Sequence, residues 1–399
     1  MASRNNRYYG TGLNTSNTAN RPTNTGTSST SNKRGTDSTE GMSTLFGSAA
    51  STANATQGDT SKDVQVQNPP EDSISDLAFS PVNEHLAVAS WDKKVRIYEI
   101  NDQGQSQGKA LFEHEAPVLS CAWSKDGTKV FGAGADKAAR MLDLGANTSQ
   151  AQQVAAHEQP IRCVETIQVQ GNTMLVTGSW DKTVKYWDLR QSQPAMSVTC
   201  QDRVYCMDTR EQMLVIGCAD RYVNVVALNN PGTFYKTMQS PLKWQTRTVS
   251  CFTDAQGFAV GSIEGRCAIQ YVEDTDQSKN FSFKCHRQNV PNQRDASNVY
   301  SVNAISFHPV HGTFSTAGSD GTFHFWDKDA KHRLKGYPEC GGSISTTAFN
   351  RNGNIFAYAV SYDWHKGYAH NNPSHPNKIM LHPIIGDECK PRPGGPKKR

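Results

Sequence analysis

The chain has 399 residues, of which 36% are hydrophobic and 20% charged, and its formal net charge is +4. This length allows two average domains or one large repeat architecture with a tail, and the small net charge gives no argument for nucleic-acid binding through bulk charge. Abundant Gly, Ser, Thr and Asn favour an all-β chain rich in turns over a helical one.

The N-terminal leader, residues 1–61, consists largely of Ser, Thr, Asn, Gly and Ala. Because so few apolar side chains cannot offset the entropy cost of ordering, we predict that this leader is disordered. It contains one Phe-Gly dipeptide, at Phe46, which is too weak a signal to assign a role. The start of the chain has no apolar signal core, and no run reaches the ~20 apolar residues of a membrane helix. We therefore expect no membrane insertion.

Between the leader and a basic tail the sequence repeats itself. An acidic residue recurs in a turn between two strand-like runs, at Asp92, Asp136, Asp181, Asp220, Glu264, Asp320 and Asp363. Successive positions are 44, 45, 39, 44, 56 and 43 residues apart. Four strand-like runs per unit and a period of about 40 to 45 residues are typical of β-propeller blades. The sequence therefore predicts an all-β, seven-bladed WD-repeat β-propeller.

The two ends of the repeat array predict how the ring closes. The seventh unit lacks a fourth strand, whereas an alternating segment, residues 62–67, precedes the first unit. Pairing that segment in the last blade would remove two open sheet edges. We thus expect a leader at 1–61, a propeller at 62–386 and a basic tail at 387–399.

The third unit contains a constellation that allows two interpretations. His157, Ser179, Asp181 and Trp187 match the buried hydrogen-bonded tetrad of WD-repeat blades, in which each polar atom finds a partner. His157, Ser179 and Asp181 could instead be the base, nucleophile and orienting acid of a hydrolase. A hydrolase needs an exposed Ser at a sharp turn and an oxyanion hole. The pattern predicts that Ser179 lies mid-strand, without a G-x-S-x-G elbow, so we predict a structural tetrad and no enzyme.

Metal and cofactor signals are weak. His365, His370 and His375 share one loop, but their five-residue spacing matches no standard zinc pattern. There is no Walker sequence, no G-x-G-x-x-G after a strand and no HExxH. Ten scattered cysteines without a CxxC pair indicate reduced thiols and a nuclear or cytosolic protein. We predict no metal and no cofactor.

Six stretches go beyond a generic propeller: "GSWDKTVKYWDLR", "SPLKWQTR", "GSIEGRCAIQY", "FSFKCHRQ", "FHPVHGTFSTAGSDGTFHFWDKD" and "NGNIFAYAVSYDWHKG". They closely resemble the nuclear-pore-associated mRNA export factors of the WD-repeat class, with fungal members nearest. The resemblance covers essentially all of residues 62–385. It implies a seven-bladed adaptor, monomeric within a heteromeric complex, that binds the GLEBS-type segment of a Phe-Gly nucleoporin. It further implies a basic face that holds single-stranded RNA.

The resemblance also implies which residues contact the partner. They are Arg266, Phe281, Phe283, Lys284, Trp326, Lys328 and Lys331. Basic and aromatic side chains do gather here, as expected of a surface that binds an acidic, partly apolar peptide or single-stranded nucleic acid. Trp326 also occupies the structural Trp position of its blade, which competes with a contact role.

Three function hypotheses follow. The first is a non-enzymatic adaptor at the nuclear pore in poly(A) mRNA export, found in the nucleus, at the nuclear envelope and in the cytoplasm. Its nearest rival is the related spindle-checkpoint propeller, which binds a GLEBS-like motif of a checkpoint kinase. An RNA-binding protein that uses the basic rim is the second class, and the hydrolase is the third.

Overall fold

A computed structural model describes residues 57–101, 103–146, 150–169, 171–293 and 295–392. Seven four-stranded antiparallel sheets follow one another along the described chain, and this confirms the predicted seven-bladed propeller. Of the leader predicted to be disordered, residues 1–61, the first 56 residues lie outside the described residues, as does the basic tail beyond Arg392. No helix among the described residues is both long and apolar enough to cross a membrane.

The strands of the first three blades follow the chain in order, after one strand that belongs elsewhere. That strand, β1 (Val64–Gln65), is part of the last blade. Blade one contains β2 (Ile74–Phe79), β3 (His85–Ser90), β4 (Lys94–Ile100) and β5 (Ser106–Glu113). Blade two contains β6 (Val118–Trp123), β7 (Lys129–Gly134), β8 (Ala138–Asp143) and β9 (Gln152–Ala156). Blade three contains β10 (Ile161–Val169), β11 (Asn172–Ser179), β12 (Thr183–Trp187) and β13 (Met196–Thr199).

Blade four contains β14 (Val204–Arg210), β15 (Met213–Cys218), β16 (Tyr222–Ala227) and β17 (Lys236–Gln239). Blade five contains β18 (Thr246–Cys251), β19 (Gly257–Ser262), β20 (Arg266–Tyr271) and β21 (Phe281–Lys284), and a separate hairpin, β22 (Arg287–Asn289) and β23 (Ser297–Val299), follows it. Blade six contains β24 (Val302–Phe307), β25 (Phe314–Gly318), β26 (Phe323–Asp327) and β27 (His332–Gly336). Blade seven contains β28 (Ile344–Phe349), β29 (Ile355–Val360) and β30 (Lys378–Pro383). Three short 3₁₀ turns lie at Ala219–Arg221, Asp274–Lys279 and Tyr368–His370.

The hydrophobic core lies between blades rather than inside them. Each apolar cluster joins two successive blades; one, for example, packs Val164 of blade three with Phe131 of blade two. Seven such clusters cover all seven junctions, including the junction between blades seven and one. Because both faces of every blade are covered, the second strands are almost wholly apolar or small, as in "MLVTGS".

The ring closes in blade seven through β1. Val64 pairs with Leu381 and Gln65 with Met380, so the chain's first described strand joins its last. A buried ionic cluster, which we call the closure clasp, secures this joint. His382 Nδ1 lies 2.6 Å from Asp63 Oδ1, and His382 Nε2 lies 3.2 Å from Glu388 Oε2. The Tyr358 hydroxyl donates to Asp63 and the Lys335 ammonium donates to Glu388, so both carboxylates are satisfied.

Candidate functional site

The constellation in blade three forms a hydrogen-bonded chain, but its hydroxyl belongs to Thr177. His157 Nδ1 lies 2.8 Å from Asp181 Oδ2, and His157 Nε2 lies 2.7 Å from Thr177 Oγ1. The Trp187 indole N–H donates to the same Thr177 oxygen over 2.8 Å. Ser179 donates instead to the carbonyls of Gln159 and Pro160, which corrects the predicted role of Ser179.

This arrangement is suited to stabilising the blade rather than to catalysis. Burial lowers the pKa of His157, against the raising effect of Asp181. Burial opposes ionisation of Asp181, yet hydrogen bonds from Thr183 and His157 hold the pKa of that carboxyl below its usual value. The Ser179 hydroxyl donates to main-chain carbonyls and does not contact the imidazole. The base and nucleophile of a hydrolase are therefore not brought together.

Blade six contains a second complete tetrad that no sequence pattern predicted. His286 Nδ1 lies 2.9 Å from Asp320 Oδ1, and His286 Nε2 lies 3.0 Å from Thr316 Oγ1. The Trp326 indole donates to Thr316 over 2.9 Å. In the sequence His286 looks isolated, because the β22–β23 hairpin separates it from the rest of its blade. His286 and Asp320 are 34 residues apart, against 24 for the pair in blade three.

The predicted contact residues separate into two groups at opposite ends of the outer strands of blade five. Arg266 and Lys284 are cross-strand partners at the end of the β20–β21 pair next to Glu264. Phe281 pairs with Ile269 at the other end. An extended strand rises about 3.3 Å per residue, so roughly 10 Å separates the two groups along β21.

The group around Phe281 is an aromatic cluster against which the ammonium groups of Lys328 and Lys331 lie. Phe283 lies 4.5 Å from Trp326 between ring centroids, and both side chains are buried, with 3% and 5% exposure. Lys331 Nζ lies 4.9 Å above the half-buried Phe281 ring, which is a cation–π distance. Lys328 Nζ lies 5.1 Å from the Phe252 ring and pairs with the exposed Asp329. The structure brings these five predicted residues together; Phe281 and Lys331 are half-buried, whereas Lys328 is buried, with 8% exposure. We call Phe281, Lys328 and Lys331 the blade five–six surface.

A second candidate surface surrounds the mouth of the central channel, and no sequence motif predicted it. Arg162 and Arg247 are the second residues of innermost strands β10 and β18, and they line a channel cavity of about 330 Å³. Their guanidinium groups donate to the carbonyls of Leu119 and Asp363. No carboxylate of the described residues lies within ion-pair distance of either arginine. Burial and the neighbouring charge of Arg162 lower the pKa of Arg247.

Two exposed and two half-buried indoles stand on the same end of the propeller. Trp180 follows β11 and is 40% exposed, and Trp244 precedes β18 and is 61% exposed. Trp91 and Trp364 follow β3 and β29 and stack across the closing junction, with ring centroids 3.9 Å apart. We call these four tryptophans and the two arginines the channel-mouth face. The signal that could have revealed it is an Arg at the second position of an innermost strand, where other blades carry Ser, Leu, Tyr or Asn.

The described residues contain no group of three or more His, Cys, Asp or Glu side chains able to hold a metal ion. His365 contacts Asp363, and the His375 ring stacks on Tyr362. These histidines therefore make contacts within their own loop.

Comparison with known proteins agrees with the geometry. The model of the WD domain, G-beta repeat, matches residues 61–99, 105–143, 149–188 and 293–327. The "mRNA export factor GLE2" of Chaetomium thermophilum is 64% identical over 361 residues, which are 90% of this chain and 100% of that protein. The "Poly(A)+ RNA export protein" of Schizosaccharomyces pombe is 57% identical over 88% of this chain and 98% of its own length. "Protein Rae1" of Drosophila melanogaster is 44% identical over 87% and 99% respectively.

Seven blades with two complete His–Thr–Asp–Trp tetrads define a WD-repeat propeller. Within that class, the chain belongs to the family of WD-repeat mRNA export factors that includes GLE2 and Rae1.

Proposed function

We propose that this protein is a non-enzymatic adaptor that supports poly(A) RNA export at the nuclear pore, in the nucleus and at the nuclear envelope, with a further cytoplasmic pool. Relatives named for RNA export support the process. The partner is a Phe-Gly nucleoporin carrying a GLEBS-type acidic segment. The observation that carries this proposal is the pair Arg162 and Arg247, which are cationic, lack an acidic partner among the described residues and lie amid exposed indoles.

The chemistry of the channel-mouth face fits an acidic, partly apolar peptide. Two guanidinium groups already held by carbonyls are pre-organised to receive carboxylates, and such charge-assisted bonds are the strong ones. Trp180 and Trp244 offer large apolar area at low entropy cost, as at binding hot spots. The peptide's acidic groups would thus lie at the channel mouth and its apolar groups on the surrounding indoles.

The test is the affinity of a fluorescent GLEBS-type peptide for purified protein. We expect Arg162→Glu/Arg247→Glu to weaken binding at least about hundredfold, because each reversal leaves a peptide carboxylate opposite a like charge. Lys109→Glu/Lys125→Glu, on the outer strand of blade one and in a turn of blade two, is the matched control. Equal affinity of both double variants would refute the proposed contact.

A second activity, direct binding of single-stranded RNA, is favoured by the blade five–six surface. Lys331 above Phe281 combines a cation with a ring on which a base can stack. Arg266 and Lys284 extend the positive charge along the same blade. We expect Lys284→Glu/Lys331→Glu to weaken RNA binding and to reduce the slope of log K against log salt by about two. A binding slope unchanged by the substitutions would rule this surface out.

A further inference from the structure

The two arginines of the channel-mouth face share one cavity, and neither has an ion-pair partner among the described residues. Arg162 and Arg247 lie on blades three and five, so blade four separates them along the ring, and both residues are half-buried. Burial lowers the pKa of Arg247, and the positive charge of Arg162 lowers it further. The two guanidinium groups therefore repel each other across the cavity, and an anion bound between them would stabilise both.

Two carboxylates lie near these arginines, but each is held by other groups. Asp363 binds Arg247 through its carbonyl, over 2.9 Å, rather than through its carboxylate. Asp76 lines the cavity wall. The hydrogen-bond partners of the two carboxylates are Asn303, Ser319 and His365 for Asp363, and Leu77, Ser120 and Cys121 for Asp76. An anion that neutralises both arginines therefore comes from outside the described chain.

The deeper part of the cavity is less negative than its composition suggests. Glu165 and Asp208 line it, and burial raises the pKa of both carboxyl groups. The charges of Asp208 and Asp76 raise the pKa of Glu165 further. Arg210, which also lines the cavity, adds a third positive charge, and its Nε donates to the Thr253 carbonyl over 3.3 Å. The electrostatic environment of the cavity therefore admits an anion at the level of the first two arginines.

The charge and shape of a phosphate group suit two guanidinium groups in one cavity better than a carboxylate does. A phosphate monoester carries about −1.5 to −2 charges at pH 7 and three strong acceptor oxygens. It can thus receive the forked N–H donors of two arginines at once, whereas one carboxylate fills a single fork. Each guanidinium has several N–H donors, of which one is used for a described carbonyl. We propose that Arg162 and Arg247 form a binding site for a phosphate monoester at the channel mouth.

The surroundings of the site favour a phosphate carried by a peptide over a free one. Trp180 and Trp244 are 40% and 61% exposed around the same mouth, and they provide apolar contact area for the residues on either side of a phosphorylated side chain. The ligand is therefore a phosphoserine or phosphothreonine in the partner's acidic segment, an assignment that rests on the proposed function. Phosphorylation of that segment would strengthen the complex, so adaptor binding would depend on a kinase that acts on the partner.

Peptide affinity tests the site on the wild-type full chain. The probes are fluorescent forms of one acidic peptide in which a single central position is serine, glutamate or phosphoserine. We expect the phosphoserine form to bind at least about tenfold more tightly than either of the others, because only phosphate engages both arginines. Equal affinity for all forms would overturn the phosphate site and leave the proposed acidic-peptide contact in place. If no form binds, the phosphate site and that contact are both refuted.

Variants with lysine in place of arginine test whether these two side chains cause the preference. Arg162→Lys/Arg247→Lys keeps both positive charges but removes the forks, so the preference for phosphoserine over serine should fall below about threefold. Arg190→Lys/Arg351→Lys is the matched control, because each of those arginines already pairs with a carboxylate. A phosphoserine preference that is the same in both double variants would locate the phosphate elsewhere and overturn the proposal.

Titration of inorganic phosphate alone distinguishes the two sources of the group. Isothermal titration calorimetry in a phosphate-free buffer measures its affinity for the full chain. Binding at least about tenfold weaker than that of the phosphoserine peptide identifies a phosphorylated side chain as the ligand, because the flanking residues then add contacts. Equal affinity for inorganic phosphate would retain the anion site and refute the phosphopeptide as its ligand.

Discussion

Two hydroxyl residues on one strand explain why the sequence assigned the blade-three tetrad only in part. Thr177 and Ser179 are two residues apart on β11, so their side chains point to the same face of the blade. The alternation of side chains along a strand predicts that one of these two hydroxyl groups contacts His157, but it does not determine which one. The choice depends on where Trp187 lies across the sheet; it pairs with Leu175, which brings its indole towards Thr177.

Thr177→Val should destabilise the fold, while Thr177→Ser should not. Valine keeps the shape but leaves the buried His157 Nε2 and Trp187 Nε1 without their shared partner. We expect the free energy of unfolding to fall by about 1–3 kcal/mol. Urea denaturation followed by tryptophan fluorescence measures the difference. If valine and serine variants unfold at the same urea concentration, the shared hydroxyl does not contribute to stability.

The closure clasp predicts how stability depends on pH. Burial lowers the pKa of His382, but hydrogen bonds to Asp63 and Glu388 outweigh it and raise that pKa to about 9. The folded state therefore binds a proton more tightly than the unfolded state does. This contribution, about 3 kcal/mol, is complete below about pH 6.5 and is lost as the pH rises towards 9.

Glu388 determines how the stability of the fold depends on pH in the acidic range. Burial raises its pKa, yet hydrogen bonds from His382 and the Ile385 N–H lower it to about 2. Its stabilisation is present above about pH 4.5 and is lost as the pH falls towards 2. Urea midpoints measured from pH 3 to pH 9 should be highest between these limits. His382→Gln should flatten the decline above pH 6.5, and an unchanged decline would assign it to other groups.

At the scale of elements, an inserted hairpin disguised the repeat pattern of blade six. Repeat spacing predicted seven blades because six of them keep similar lengths, but the 56-residue gap before Asp320 disguised the sixth tetrad. The β22–β23 hairpin accounts for most of the excess. The strands of this hairpin are largely polar and exposed, so the sequence shows no alternation of apolar residues that would have predicted them. The channel-mouth face was missed for a related reason, since it assembles residues from four blades that no local motif connects.

Removing the hairpin should leave blade six intact. We expect replacement of residues 288–298 by Gly-Ser to change the free energy of unfolding by less than about 0.5 kcal/mol, as is usual for exposed segments away from the core. His286→Ala in the same blade should cost about 1–3 kcal/mol, because it removes the partner of Asp320 and Thr316. Differential scanning calorimetry of both variants makes the comparison. A large loss from the hairpin deletion would mean that the hairpin supports the blade.

At the scale of the whole molecule, burial governs the cysteines. All ten are free, and eight are buried within the core between blades. Burial raises the pKa of Cys163 and Cys206, to about 12 for Cys206, which suppresses the reactive thiolate. An aromatic disulfide reagent at pH 8 should therefore titrate at most two thiols rapidly in native protein and ten in urea. Rapid reaction of more than two native thiols would show that the blade junctions open readily.

Closure by the first and last strands also sets an order of events during synthesis. Asp63 and His382 are 319 residues apart, and ribosomes add about 5–20 residues per second. For roughly 15–60 s, β1 has been made while β30 has not. Throughout that interval blade seven lacks at least β30, and the apolar side chain of Val66 lacks its partners Ile379 and Leu381. We therefore expect the ring to close only after its last strand has left the ribosome, and a premature stop codon before Lys378 should leave blade seven without β30 and β1 without its partner.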